Sequence, residues 1–263
     1  MAVKAYLKRE LRNLQSLAPA VRTAKFSLYN FGTRSAGLFV EPEFKLLAHL
    51  RPVKLAIDIG GNWGQSVLAL QRYAAPERIV TFEPNPELYR RLSARFRSDP
   101  SIQVENVGLG DAAGQFDLHI PLYRNFVYDG LASLNKDEAA QWLNPRTMAR
   151  FDPSKLTIQS HTVRVVKLDD YNLVPDIIKI DVQGLEDAVA RGGIKTIDRA
   201  KPAMIVEAPS ASFVQMMADC GLRPYTWNGT RLVDAADGSN VMFLSDEKLR
   251  KLVKVRPKPE KPE

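Results

Sequence analysis

Residues 54–64 read KLAIDIGGNWG and residues 65–74 continue QSVLALQRYA. A short apolar run ends in an acid and glycines, and Val67, Leu68 and Leu70 then recur at helical spacing, so the segment is predicted as strand, tight turn, helix. Glycines at such a turn let a ligand approach the backbone and meet the amino terminus of the helix. The alternation continues outward from this unit. RIVTFEP (78–84) reads as a strand, PELYRRLSARF (86–96) as a helix with Pro86 in its first turn, and IQVENVG (102–108) as a third strand. Beyond an interruption come DIIKIDVQG (176–184), a helix at 185–192, AMIVEAP (203–209) and a helix at 211–220 before Gly221. The strand cores are apolar at successive positions, as in strands buried on both faces of a parallel sheet. The expected fold is α/β, a doubly wound, mostly parallel sheet with helices on both faces and ligands at the carboxyl ends of its strands. Segments 222–233 and 240–245 are expected to pair as an antiparallel edge.

The 263 residues suit one large domain with appendages, and 45% apolar with 25% charged residues is ordinary globular composition. The single cysteine, Cys220, permits no internal disulfide and no cysteine-based zinc site. No stretch approaches the roughly 18 uninterrupted apolar residues of a spanning helix. Lys4, Lys8, Arg9, Glu10 and Arg12 interrupt any secretory apolar core. These features place the chain in the cytoplasm, with peripheral contact at an anionic membrane as a further expectation.

A formal charge of +7 would suggest nucleic acid, but residues 1–30 hold six bases against one acid and residues 248–263 hold seven against two. The body between them is therefore slightly acidic. Three regions are expected: a helical N-terminal extension (1–50), a catalytic domain (51–247) and a basic, Pro-rich, disordered tail (248–263). In the extension, Val3, Leu7, Leu11 and Leu14 form a stripe beside Lys4, Lys8 and Arg12, an amphipathic helix that packs its leucines on the domain or faces lipid or a partner.

Asp58 ends the first strand and Glu83 the second, twenty-three residues after Gly60, a spacing that suits a carboxylate on ribose hydroxyls. A dinucleotide fingerprint would need glycine where Asp58 or Asn62 stands. An acid there would repel a pyrophosphate but pair with the amino group of S-adenosylmethionine, which is the cofactor this turn favours.

The strings DIGGNWG (58–64), FEPNP (82–86), NVGLGD (106–111), LASL (131–134), KIDVQGLE (179–186) and KPAMIVEAP (201–209) occur in the order seen in FkbM-type S-adenosylmethionine-dependent methyltransferases, and residues 53–245 resemble that family. The resemblance implies a Rossmann-like class I methyltransferase sheet of seven strands, S-adenosylmethionine as donor, and O-methylation of sugars, glycolipids or related natural products. Carried over by position, Asp58, Gly60, Gly61, Asn62 and Gly64 resemble the loop at the methionine end. Glu83 resembles the ribose carboxylate, with Asn85 just beyond it; Asn106 lies on the adenine side, and Ser133 in a loop that closes over the pocket. Two positions depart from the pattern: Gly61 replaces the usual alanine, a change that leaves the turn intact, and Gln183 replaces a usual glutamate.

Methyl transfer from a sulfonium needs alignment above all, and a hydroxyl acceptor benefits from a base. Asp181 and Glu207 end the fourth and fifth strands, and Lys179 shares a strand face with Asp181. These three are the catalytic candidates; they also read as an ion-pair cluster supporting the cofactor loop. With Glu186, Asp181 and Glu207 offer oxygen ligands for magnesium, although no metal site is assigned. His119 and His161 read as ordinary, partly exposed histidines, and His49 lies too early to reach the site.

The 51-residue insertion at 111–161 is too long for a plain connection. Its Tyr123, Arg124, Tyr128 and Trp142 are candidates for a sugar or anionic acceptor, unless the aromatics simply form a small core of their own. Two other functions compete. A nucleic-acid methyltransferase is disfavoured by the acidic body and the lack of an N/D-P-P-Y string; a non-catalytic adapter is disfavoured by Asp58, the glycines and Glu83.

Overall fold

The computed structural model describes residues 2–253 except 19 and 237, and the side chains of residues 9–18, 22–236 and 238–252. Two helices, α1 (Ala2–Ser16) and α2 (Ala20–Ala36), precede a single helical turn, α3 (Pro42–Leu46). The predicted alternation follows: β1 (Leu55–Ile59), α4 (Gln65–Tyr73), β2 (Arg78–Phe82), α5 (Pro86–Phe96) and β3 (Ile102–Glu105). A short β4 (Gly108–Leu109) precedes the insertion, which contributes β5 (Gly114–Tyr123), β6 (Phe126–Val127), α6 (Lys136–Gln141) and most of β7 (Leu156–Val166). The chain then forms β8 (Ile177–Ile180), α7 (Glu186–Gly192), α8 (Ile194–Ala200), β9 (Ala203–Glu207) and α9 (Ala211–Asp219). It closes with β10 (Arg223–Trp227), β11 (Leu232–Asp234), β12 (Asn240–Leu244) and α10 (Asp246–Val253).

The main sheet runs β11-β10-β12-β9-β8-β1-β2-β3, with β9, β8, β1, β2 and β3 mutually parallel. Every residue of β1 is buried because both faces are covered: Leu55, Ile57 and Ile59 enter one core cluster, and Ala56 enters the other. Burying each large aliphatic side chain contributes about 1.5–3 kcal/mol, which is why these near-continuous apolar runs form the centre of the sheet. β12 is antiparallel to both β9 and β10. The sheet has eight strands rather than the seven expected, because β11 pairs with β10 beyond a turn at Asn228, whose side chain accepts from the Thr230 and Arg231 amides.

The boundaries of the appendages also differ from expectation. Phe44 and Leu47 are fully buried in the core, so the domain begins before residue 51. At the other end, residues 248–253 lie within α10, whose Leu252 is buried in the same cluster; residues 254–263 of the expected tail lie outside the described residues. The insertion folds, together with β4, as a second sheet, β4-β7-β5-β6, in which β5 and β7 form a long antiparallel pair with Gly114 opposite Val165 and Tyr123 opposite Leu156. It has its own small cores, one around Leu118, Ile120 and Val163 and another around Tyr123, Leu143 and Met148.

Candidate functional site

The carboxyl ends of β1, β2 and β8 meet at one cleft, as the switch-point rule for open α/β sheets requires. Gly60 follows β1 with φ +93°, and its amide donates to the Phe82 carbonyl (3.0 Å). A Cβ at this position would lie 1.9 Å from the Asp181 carbonyl oxygen, so only glycine lets the first and fourth strand ends approach this closely. Asn62 takes the left-handed conformation (φ +45°), tolerable for asparagine, which turns its amide onto Glu83 Oε2 at 2.7 Å. The other oxygen of Glu83 accepts from the Asn85 amide at 2.8 Å. A carboxylate has about four acceptor sites, so two remain for a ligand. Burial pushes Glu83 up to about 7, against the pull of these two amides.

The cleft is walled by an apolar slot of Leu88, Val107, Leu109, Leu118, Val163 and Val165, with Glu83, Asn85, Ser133 and Asp129 among its polar points. Leu118, Asp129, Ser133 and Leu134 lie within the insertion, and Val163 and Val165 on β7, so the insertion and the strand that ends it complete the cleft. Ser133 is held by paired backbone bonds with His119 (2.8 and 3.0 Å), and its hydroxyl donates to Glu138 at 2.8 Å. Asp129, not anticipated from sequence, is buried and bonded to Arg22 and to the Trp63 indole (3.1 Å). Its Oδ1 and the side-chain Oδ1 of Asn62 are buried without a partner. Burial raises the Asp129 carboxyl despite Arg22. An acid two positions before LASL was the available signal for Asp129.

A second cavity adjoins the first. Gly60, Asn62 and Asp181 line both, and the second is completed by Tyr29, Phe39, Glu41, Gln65, Ser66 and Lys179. Asp181 shares a hydrogen bond with Glu207, and the Gln183 amide nitrogen donates to both carboxyls, to Asp181 Oδ1 at 3.0 Å and Glu207 Oε2 at 3.1 Å. The bond to Asp181, then burial, push Glu207 up to about 8. Burial opposes ionisation of Asp181, but Glu207, Lys179 and Gln183 together hold its carboxyl below the ordinary value. The pair therefore binds one proton between its members at neutral pH. Lys179 is buried, 4.0 Å from Asp181, and its ammonium donates to Asn240 Oδ1 at 3.3 Å. Gln183, noticed in the sequence only as a departure, is the bridge of this cluster.

Several sequence candidates lie elsewhere. Asp58 is fully buried, accepts from the Thr81 hydroxyl at 2.8 Å and lines neither cavity, because the strand alternation turns its side chain away from the cleft. Gly61 is not freely exchangeable with alanine here: a methyl would lie 2.5 Å from Thr81 Oγ1, the atom bonded to Asp58. Gly64 (φ +85°) packs against Leu92 and Phe96 at the start of α4 and shapes the turn from outside the cleft. Asn106 is exposed and braces the turn after β2 through the Glu83 and Pro84 carbonyls (2.9 and 3.2 Å). Asn85 lines the cleft and also caps α5 by accepting from the Glu87 amide. Glu186 accepts from the Val182 and Gly184 amides, and among the described residues no three acids, histidines or cysteines converge as metal ligands would. None of the histidines lines either cavity.

The four acceptor candidates of the insertion line neither cavity. Tyr123 is fully buried, stacked on Phe151, and its hydroxyl accepts from the Asp152 amide at 2.8 Å. The other three seat α1: Tyr128 donates to the Arg12 carbonyl (3.3 Å), Arg124 donates to Asn13 Oδ1 (3.2 Å), and the Arg12 guanidinium lies over the Trp142 ring at 4.6 Å. Burial pushes Tyr128 up to about 12. Sequence alone could not show that an N-terminal helix occupies these aromatics.

Residues 58–224 match the family model described as the Methyltransferase FkbM domain. This chain belongs to the FkbM methyltransferase family. The matched segment of this FkbM-family chain begins at Asp58 and contains the Gly60 turn, Glu83, the insertion and the Asp181–Glu207 pair. Among curated proteins, it is 28% identical over 166 residues to the AMB antimetabolite synthetase AmbE of Pseudomonas aeruginosa, a match covering 54% of this chain and 8% of that one. The chain thus spans less than a tenth of that relative's length. Among solved structures, it is similar to a methyltransferase FkbM from Methylobacillus flagellatus KT at 16% identity and a TM-score of 0.45, over 82% of this chain and 47% of that one. A second is an S-adenosylmethionine-dependent O-methyltransferase from Thermotoga maritima, at 13% identity and a TM-score of 0.37, over 82% and 69% of the two chains. No helix among the described residues is long and apolar enough to cross a membrane.

Proposed function

We propose that the protein is an S-adenosylmethionine-dependent O-methyltransferase acting on a sugar hydroxyl of a saccharide, glycolipid or glycosylated metabolite. The observation that carries this reading is the shared boundary of the two cavities: Gly60, Asn62 and Asp181 line both, so a donor in one meets an acceptor in the other beside a carboxyl pair. The residues of the first cleft fit a nucleoside donor. The buried Asn62 Oδ1 lacks a partner, and Glu83 keeps two acceptor sites towards the cleft. Glu83 would take the ribose hydroxyls, the apolar slot the adenine, and the Gly60–Asn62 turn the methionine end. When bound, the donor supplies a methyl group on a sulfonium whose leaving group is a neutral thioether.

The chain's own part is alignment and proton removal. Gln65, Ser66, Glu41 and Lys179 offer polar contacts for a polyhydroxylated acceptor, and Tyr29 and Phe39 offer aromatic faces for its C–H surface. As the acceptor oxygen gains its methyl group, its proton passes to Asp181, and Glu207 and Gln183 hold that carboxyl in position.

The pH dependence of donor binding tests the first cleft. Ribose hydroxyls donate to an ionised carboxylate, and Glu83 titrates at about 7. The affinity for S-adenosylhomocysteine, measured by calorimetry, is therefore expected to rise as pH increases through about 7 and then level off. Glu83→Gln should weaken binding by roughly 10- to 100-fold and flatten that rise. The reaction itself is tested by incubating the protein with methyl-labelled S-adenosylmethionine and a host-cell extract. The expected product is a glycan or glycolipid carrying an alkali-stable methyl ether; label in nucleic acid instead would overturn the reading.

A further inference from the structure

The amphipathic start of the chain is mounted the other way round from an ordinary surface helix. An amphipathic helix usually turns its apolar stripe to the core. Among the described side chains of α1 (residues 9–16) the buried ones are Asn13 and Ser16, and the arginines face the domain: Arg9 donates to the Pro145 carbonyl and Arg12 to the Thr147 carbonyl, both at 2.8 Å; Val3 and Leu7 of the predicted stripe lie outside the described side chains. Leu11, Leu14 and Leu17 are each more than half exposed. The pattern continues in α2, where Arg22 and Asn30 point inward and Leu28 and Phe31 are exposed, and it ends at the exposed Leu38 and Phe39. Seven of the ten exposed large apolar side chains among the described residues fall within 11–39, a concentration that scattered surface residues do not produce.

Charge selects the occupant of this surface. Residues 1–40 contain seven bases and one acid. Among the described residues, Arg22 is buried on Asp129, Arg9 and Arg12 are turned to the insertion, and Lys25 and Arg34, with no carboxylate partner, are the bases left beside the exposed apolar side chains. A second copy would bring the same excess of positive charge against itself, whereas an anionic lipid surface supplies both the apolar medium and the countercharge. Phe39 links this surface to the site, since it is exposed and also lines the second cavity, stacked on Tyr29 at 4.6 Å.

We propose that α1, α2 and the Leu38–Phe39 turn form a docking surface for anionic phospholipid, which presents the mouth of the Asp181 cavity to an acceptor carried in the membrane. The docking part stands on the surface alone; the acceptor part rests on the methyltransferase reading above. The test uses the full chain and sedimentation with phosphatidylcholine vesicles, with or without about one-third phosphatidylglycerol. Wild type is expected to partition onto the anionic vesicles and to be released when salt is raised to about 0.5 M. Leu14→Glu and Phe31→Glu, both at exposed positions, should together lower that partitioning by roughly tenfold or more while the melting temperature and S-adenosylhomocysteine affinity stay unchanged. Equal partitioning onto neutral and anionic vesicles would overturn the proposal. So would a dimer in solution that these substitutions dissociate, because a second copy would then cover the face. Vesicle binding is measured without donor or acceptor, so a failure of labelled methyl transfer leaves the docking result readable.

Discussion

Gly60→Ala is expected to abolish the thermal stabilisation produced by S-adenosylhomocysteine and to lower the melting temperature of the free protein by about 5 °C or more. Two costs combine at this residue. Its φ of +93° is a region that residues with a Cβ rarely adopt, and the added methyl would meet the Asp181 carbonyl at 1.9 Å. Backbone strain of this kind costs about 1–3 kcal/mol. The clash adds to it, because its partner is a backbone oxygen at the end of a fully buried strand and cannot rotate away. Relief requires the ends of β1 and β8 to separate, and that displaces Asp181 and the turn that carries Asn62. Gly184→Ala is the control: its φ is +99°, but nothing lies within 4 Å of the added carbon, so it should bear the conformational cost alone. Differential scanning fluorimetry with and without S-adenosylhomocysteine separates the two, and a Gly60→Ala protein with normal ligand-induced stabilisation would remove this turn from the donor site.

The second large effect is expected at the carboxyl pair. Asp181→Asn should reduce labelled methyl transfer by roughly 10²- to 10⁴-fold, the range of a lost general base, while S-adenosylhomocysteine affinity changes little. In the wild type the pair must be free of its shared proton to take another from the acceptor. With Glu207 titrating at about 8, turnover should rise as pH increases towards about 8 and then level. Glu207→Gln keeps a hydrogen-bond donor against Asp181 but removes the negative charge that makes the pair basic. It should give a smaller loss of rate and a pH profile without the rise. A purely structural ion-pair cluster would lower stability without reshaping the profile, so the slope of rate against pH distinguishes the two roles.

The parts of the site that the sequence revealed are those where backbone geometry and residue type are tightly coupled. Gly60 could be assigned because a turn between a buried strand and a helix needs it, and Glu83 because it ends the next parallel strand, whose position is set by the first. The strand-end positions of Asp181 and Glu207 followed from the same logic, and their part in the reaction is the proposal made above. The readings that moved concern side-chain direction. Asp58 sits at the right strand end, but strand alternation turns it to Thr81. Asn106 is close to the cleft but spends its amide on two carbonyls. Asp129 was missed because the pairing of β5 and β7 brings it to the cleft from a segment with no regular periodicity of its own.

The sequence by itself therefore determined the order of strands and helices, the glycine turn, the two acidic strand ends and the separation of the basic termini from an acidic body. These follow from local rules: apolar periodicity, turn chemistry and charge count. Only the tertiary structure decided what the insertion and the N-terminal helices do for each other. Tyr128, Arg124 and Trp142 look like acceptor contacts when read along the chain, yet they bind Arg12 and Asn13 of α1 across more than a hundred residues. An amphipathic pattern specifies that a helix has two faces and leaves open which one the domain will take. Here the insertion offers carbonyls and aromatic rings, so the arginine face is drawn inward and the leucine face is left outward.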